Sequence, residues 1–122
     1  MKAPHFLGAA VVGALLLCGC QTARPLYYWG NYETVLYQSY AAPGKHTPAE
    51  HIDKLKADIE KAAATNQKVP PGLHAHLGLL YYQTGQTDLA LKEFETEKAL
   101  FPESTAFIDG LLKQQQKNSS KG

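Results

Sequence analysis

The histidine, glutamate and serine side chains of this chain are its candidates for metal binding or catalysis, and their spacing tests both roles. His74 and His76 are separated by one residue, so on a helix their rings point to different faces, unlike the i, i+4 pair of helical zinc sites. Glu93, Glu95 and Glu97 fan out over a helix instead of pairing, and we expect them to form a solvated face. None of the serines lies in a nucleophile-elbow pattern. We therefore predict a non-enzymatic protein with no catalytic residue, no metal and no cofactor.

The two cysteines lie at the end of an apolar N-terminal segment. Residues 6–17 are nearly all apolar. This run is shorter than the ~20 residues of a membrane-spanning helix and fits the apolar region of a secretory signal, ~7–15 residues. The sequence Leu17-Cys18-Gly19-Cys20 resembles a lipobox, whose cysteine becomes the lipidated N-terminus. We predict a signal peptide at 1–19, removed by cleavage, and acylation of Cys20. An ordinary signal peptide with two incidental cysteines is the alternative.

Charge and cysteine usage narrow the class of protein further. The chain has 12 Lys and Arg against 11 Asp and Glu, a formal net charge of +1, with no basic stripe, so we predict no nucleic-acid partner. With Cys20 acylated, no disulfide is available and the domain must rely on its core.

Gln21 follows Cys20, where an Asp would favour inner-membrane retention in enteric-type bacteria. We therefore expect an outer-membrane location, on the periplasmic face rather than the cell surface.

Apolar periodicity predicts an all-α domain of about five short helices at 27–112. The clearest helix start is Thr47-Pro48-Ala49-Glu50, which reads as a capping box with proline at the first helical position. The predicted helices cover about 30–40, 48–65, 73–83, 87–100 and a short segment from 104. A lipidated tether at 20–26 precedes the domain, and a polar tail at 113–122 is expected to be disordered.

The third and fourth helices match one tetratricopeptide repeat over residues 71–104. The matching residues are Leu77, Gly78, Tyr81, Ala90, Phe94 and Pro102. His74 stands where this repeat prefers Trp, and Glu97 stands where it prefers a small residue. We expect the Glu97 end of the hairpin to be less covered than in a long array. A divergent hairpin before it and a capping helix after it would complete the domain.

The repeat also predicts a surface for a partner. In repeats of this class the first helix lines the concave side, which here places Ala75, Leu79 and Tyr82 in an apolar groove. The groove is either covered by the chain's own aromatic helix or offered to a partner.

An aromatic-rich stretch is the second candidate surface. Trp29, Tyr32 and Tyr40 recur at helical spacing. Packing against the Thr47 helix is one interpretation. The others are an interface belt near the lipid, since Trp and Tyr favour that zone, and a platform for a glycan or a protein.

The segment Tyr27-Tyr28-Trp29-Gly30-Asn31-Tyr32-Glu33, together with residues 71–78, resembles a family of small proteobacterial outer-membrane lipoproteins of unknown function. Members of that family tend to be encoded beside lipoproteins related to the curli secretion component. The resemblance implies an envelope-assembly neighbourhood and supplies no catalytic residue. We expect an interaction scaffold, anchored in the membrane by its lipid, with an envelope lipoprotein as partner. A structural lipoprotein that packs on itself or on peptidoglycan is the alternative.

The lipid anchor can be tested directly with labelled palmitate. Because acylation needs the Cys20 thiol, Cys20→Ser should abolish both palmitate incorporation and signal cleavage, whereas Cys18→Ser should leave both intact. Incorporation that persists in Cys20→Ser and is lost in Cys18→Ser would show that the wrong cysteine was assigned.

Overall fold

The structure is a computed structural model that describes Gly19 and residues 22–122. Cys20 and nearly all of the predicted signal peptide lie outside the described residues. Within the described part the domain is built from five α-helices and a short 3-10 helix at Pro102–Ser104. The α-helices are α1 (Tyr32–Ala41), α2 (Pro48–Ala64), α3 (Leu73–Gln83), α4 (Thr87–Leu100) and α5 (Thr105–Ser119). This confirms the all-α prediction. None of the helices described is long and apolar enough to cross a membrane.

The start of α2 is the capping box that the sequence predicts. The Thr47 hydroxyl accepts a hydrogen bond from the Glu50 backbone N–H at 3.2 Å, and the Thr47 backbone N–H donates to the Glu50 carboxyl at 2.8 Å. Pro48 occupies the first turn, where its missing N–H costs nothing. The buried residues of α2 form a single stripe, which includes Asp58.

Helices α3 and α4 form a tightly packed antiparallel hairpin. Gly78 of α3 faces the Phe94 ring so closely that a Cβ added there would lie 2.6 Å from a ring carbon. Phe94 and Ala90 of α4 are completely buried, and Leu77 is 1% exposed. These contacts agree with the roles that the repeat pattern gives to the two small residues and the large ring.

The two residues that depart from the repeat pattern, His74 and Glu97, are buried and make polar contacts there instead of facing solvent. Glu97 is 1% exposed, so the expectation of an uncovered, solvated Glu97 was wrong. Its carboxyl group accepts hydrogen bonds from the backbone N–H groups of Gly72 at 2.8 Å and Ala75 at 3.4 Å. His74, in the position of the Trp, lies with its Nδ1 2.6 Å from Oε2 of Glu93. The helix turns Glu93 and Glu97 to one side because they are four residues apart.

The segment before α1 is fastened to α2 and to the loop that follows it. The backbone N–H and the side-chain amide of Asn31 donate to the buried Asp58 carboxyl at 2.7 and 2.9 Å. Gly30 has a φ of +45°, and any side chain there would collide with Asp58. Tyr28 donates its backbone N–H to the Lys68 carbonyl at 2.8 Å. Gly30 and Asn31 of the sequence motif therefore attach the segment before α1 to α2.

Part of the predicted tether is also held in place. The Arg24 guanidinium donates to the Thr65 carbonyl at 3.3 Å. The Pro25 carbonyl accepts from the side-chain amide of Gln67 at 2.9 Å. Arg24 and Pro25 of the predicted tether therefore contact the loop after α2.

Helix α5 is longer than predicted. It continues to Ser119, so residues 113–119 are helical where the composition of the sequence predicts a disordered tail. Lys and Gln are good helix formers, and the hydroxyl of Ser119 lies 3.3 Å from the hydroxyl of Tyr82 in α3. That contact and the complete burial of Ile108 attach α5 to the hairpin.

Candidate functional site

The three residues of the predicted aromatic platform do not form a single surface. Tyr32 is 8% exposed and belongs to the core, whereas Trp29 and Tyr40 are 44% and 71% exposed. Trp29 stacks on Tyr32 with ring centroids 6.4 Å apart and meets Tyr27 edge to face at 6.3 Å. Tyr40 lies at the opposite end of α1, two turns away from Tyr32. Packing therefore accounts for Tyr32, and Trp29 and Tyr40 remain two separate exposed aromatic groups.

The three residues of the predicted groove, Ala75, Leu79 and Tyr82, do not share one open surface either. Ala75 is 4% exposed, so it is not available to a partner. Leu79 and Tyr82 are half-buried. Leu79 faces a cleft beside α1, whereas the Tyr82 hydroxyl approaches Ser119 of α5. The chain's own helices cover most of this surface, on two sides.

A cleft lies beside Leu79. Its volume is about 340 Å³. It lies between the C-terminal turn of α1, the following loop, the first turn of α2, and α3. Its lining residues are Gln38, Ser39, Tyr40, Pro43, Gly44, His46, Pro48, His51, His76, Leu79, Leu80 and Gln83.

Ser39 connects two histidines at the base of this cleft. Its hydroxyl lies 2.9 Å from the Val35 carbonyl, 3.3 Å from Nδ1 of His51 and 3.2 Å from Nε2 of His76. A serine hydroxyl has one proton and two lone pairs. When that proton is donated to Val35, both histidines donate their N–H groups to Ser39. The far side of the His51 ring is then a bare acceptor, and its Nε2 is buried without a hydrogen-bond partner.

Two of the histidines that line the cleft have lowered pKa values. Burial, with the neighbouring His51 as a smaller cause, lowers the pKa of His76 from 6.5 to about 4. Burial also lowers the pKa of His51, and nearby His46 and Lys54 act in the same direction. None of the lining residues is Lys, Arg, Asp or Glu.

The groups of the cleft can be compared with those that a serine nucleophile or a metal ion needs. In the serine triad the nucleophile donates its proton to a base that a carboxyl group orients, and the lining of the cleft includes no Asp or Glu beside His51 or His76. In the described part of the chain, no three His, Cys, Asp or Glu side chains are grouped to hold a metal ion. The cleft offers hydrogen-bonding groups, an exposed ring and apolar walls.

This cluster was not predicted from the sequence, because none of its histidines belongs to a metal-binding or catalytic motif. A signal for it was present. His51, Leu55, Asp58 and Ala62 share the spacing of one helical face, and all four are buried. That spacing predicts that His51 points inward and needs a partner. The contact between Ser39 and His76 spans 37 residues, and no local pattern encodes it.

A family model for a domain of unknown function, DUF4810, matches residues 26–111, more than half of the chain. The chain belongs to the DUF4810 family. The match begins at Leu26, just before the Tyr27–Glu33 motif, and ends within α5, so it includes the cleft and the hairpin. No curated protein and no solved structure was found to match the chain.

The histidines of this DUF4810 domain should make its stability depend on pH. The unfolded chain protonates His76 near pH 6.5 and the folded chain only near pH 4, so the unfolded state binds more protons between these values. Stability should therefore fall as the pH drops through this window, by about 3 kcal/mol from His76.

Urea unfolding at a series of pH values will measure this dependence. His76→Gln keeps a nitrogen near the position of Nε2 and cannot be protonated, so its stability should fall less steeply between pH 6.5 and pH 4. Parallel pH profiles for His76→Gln and the unchanged protein would contradict the burial of a neutral histidine.

Proposed function

We propose that this DUF4810 protein is a lipoprotein of the bacterial outer membrane that acts as a non-enzymatic scaffold for protein–protein interaction in envelope assembly or secretion. The apolar N-terminal segment and the Leu17-Cys18-Gly19-Cys20 pattern support the anchor. The lipid would attach at Cys20, on the periplasmic face. An envelope lipoprotein is the proposed partner.

The observation that supports a scaffold most strongly is the set of large apolar side chains exposed on the outer helices. Leu100 and Phe107 are 52% and 60% exposed and flank the turn at Pro102–Ser104. Leu89 and Leu91 of α4 are 42% and 43% exposed. Single exposed apolar residues are common, so the argument for a contact surface rests on Leu100 and Phe107, which flank one turn.

The direction of the Phe107 side chain strengthens this argument. Its neighbour Ile108 is completely buried against the hairpin, so the helix turns Phe107 away from the core. Aromatic side chains are enriched among the residues that dominate binding energy at protein interfaces. Leu79 and Tyr82 of the predicted groove, half-buried in the isolated chain, would add less area to such a contact.

Site-specific photocrosslinking in living cells tests this proposal. A photoreactive amino acid replaces Phe107 in one variant and Lys113, also exposed on α5, in a matched control. We expect the position 107 variant to form a crosslink with a defined lipoprotein, and the position 113 variant to form little or none. Crosslinks from position 107 only to murein or to a second copy of the chain would contradict the scaffold and favour a structural role.

A further inference from the structure

We propose that the cleft between α1 and α3 binds a neutral saccharide. This inference does not depend on the proposed scaffold, because it concerns a different surface and a different class of ligand. The cleft contains Ser39, His51 and His76 at its base and Tyr40 and Leu79 at its sides.

The first argument concerns charge. The lining contains no Lys, Arg, Asp or Glu, and burial lowers the pKa of His51 and of His76, which disfavours their cationic forms. The third lining histidine, His46, lies 3.7 Å from the Glu50 carboxyl. A phosphate or a carboxylate would find no Lys or Arg in the lining to offset the loss of its hydration, and an amine would find no Asp or Glu there. The ligand that fits is therefore uncharged.

The second argument is the presence of buried polar atoms with no partner. His51 is 4% exposed, and its Nε2 has no hydrogen-bond partner; the same is true of Oε1 of Gln38. Buried polar atoms in folded proteins nearly always have a partner. Both atoms belong to residues that line the cleft, and in the Ser39 arrangement described above both are acceptors. A ligand with several hydroxyl donors supplies what they lack.

The ring of His46 lies next to the buried ring of His51. The His46 and His51 ring centroids are 5.6 Å apart, and the His46 side chain is 28% exposed. A rotation of the His46 side chain on the surface loop would open the far side of the His51 ring to a ligand hydroxyl.

The third argument concerns shape and the apolar part of the lining. The Tyr40 ring is 71% exposed at the rim, and Leu79, Pro43 and Pro48 add apolar surface. A sugar ring presents C–H groups on its face and hydroxyls at its edge, so it can cover an aromatic ring while its hydroxyls bond to the cleft. The volume of about 340 Å³ is at the lower end of the ~300–1,000 Å³ of small-molecule sites.

A peptide segment fits these observations less well. Peptides commonly add a strand to a sheet edge or place an amphipathic helix in a long apolar groove. Within residues 22–122 the structure has only an isolated bridge between Tyr27 and Lys68, away from the cleft. The cleft itself is short and mixes polar with apolar groups.

Histidine ring resonances measured by NMR provide a test. The full chain, as processed in its host, is extracted in a detergent without a sugar headgroup and titrated with di-N-acetylchitobiose. In parallel it is titrated with a neutral capped alanine tripeptide. We expect the disaccharide to shift the His46, His51 and His76 resonances saturably. His74, which pairs with Glu93 outside the cleft, is the internal control and should not move.

Two matched tyrosine variants locate the site. Tyr40 and Tyr37 are 71% and 70% exposed on the same helix, but only Tyr40 lines the cleft. Tyr40→Ala should weaken disaccharide binding by about 10-fold or more, as expected for an aromatic anchor, whereas Tyr37→Ala should leave it unchanged.

Three results would overturn the proposal. One is the absence of histidine shifts up to the solubility limit of the disaccharide. Another is a response to the tripeptide alone, which would make the cleft a protein-docking site. The third is equal weakening by Tyr40→Ala and Tyr37→Ala. None of these results bears on the Phe107 crosslink, so the two proposals fail independently.

Discussion

A buried carboxyl group, that of Glu97, joins the two helices of the hairpin. Helix α3 begins at Leu73, and the residue before it, Gly72, has a φ of +94° and no side chain to cap the first backbone N–H groups. Such groups need an acceptor when they are buried. Glu97 supplies it from α4 by accepting from Gly72 and Ala75, and its oxygen also lies 3.4 Å from the Ser104 hydroxyl. The ring of Tyr32 packs against the same place, where burial, followed by the charge of Glu97, raises the pKa of the Tyr32 hydroxyl.

The position of α3 in turn determines both candidate surfaces. His76 and Leu79 reach the cleft from one side of α3, while Tyr82 near its C-terminus meets α5. A rotation of α3 would separate His76 from Ser39 and remove the base of the cleft. The Gly78–Phe94 contact restricts such a rotation, because the backbone of α3 lies directly against the ring. The cleft is therefore a consequence of the hairpin's packing, and α5 with its exposed Phe107 is attached to the same hairpin.

Short-range features of this fold were predictable from the sequence. The Thr47 capping box and the Gly78–Phe94 packing follow from fixed spacings, and the helix bounds at 73–83 and 87–100 agree with the prediction. The role of Glu97 was not predictable, because its partners are backbone groups 22 and 25 residues away and a buried glutamate looks like a surface one in sequence. The helical extension to Ser119 was missed because composition suggested disorder, whereas contact with Tyr82 favours helix.

The free energy of unfolding of Glu97→Ala tests the central claim that this carboxyl group holds the hairpin together. Alanine is a small residue of the kind that the repeat prefers at this position. If small size were all that this position requires, Glu97→Ala would be neutral or stabilising; if the carboxyl group is required, the substitution is destabilising. Measured by urea unfolding of the chain from Gln21, Glu97→Ala should lose about 2–4 kcal/mol, because it leaves buried N–H groups without an acceptor. The control Glu95→Ala removes an exposed partner of Lys98 and should cost less than about 1 kcal/mol. A Glu97→Ala protein as stable as the original, or more stable, would contradict the account.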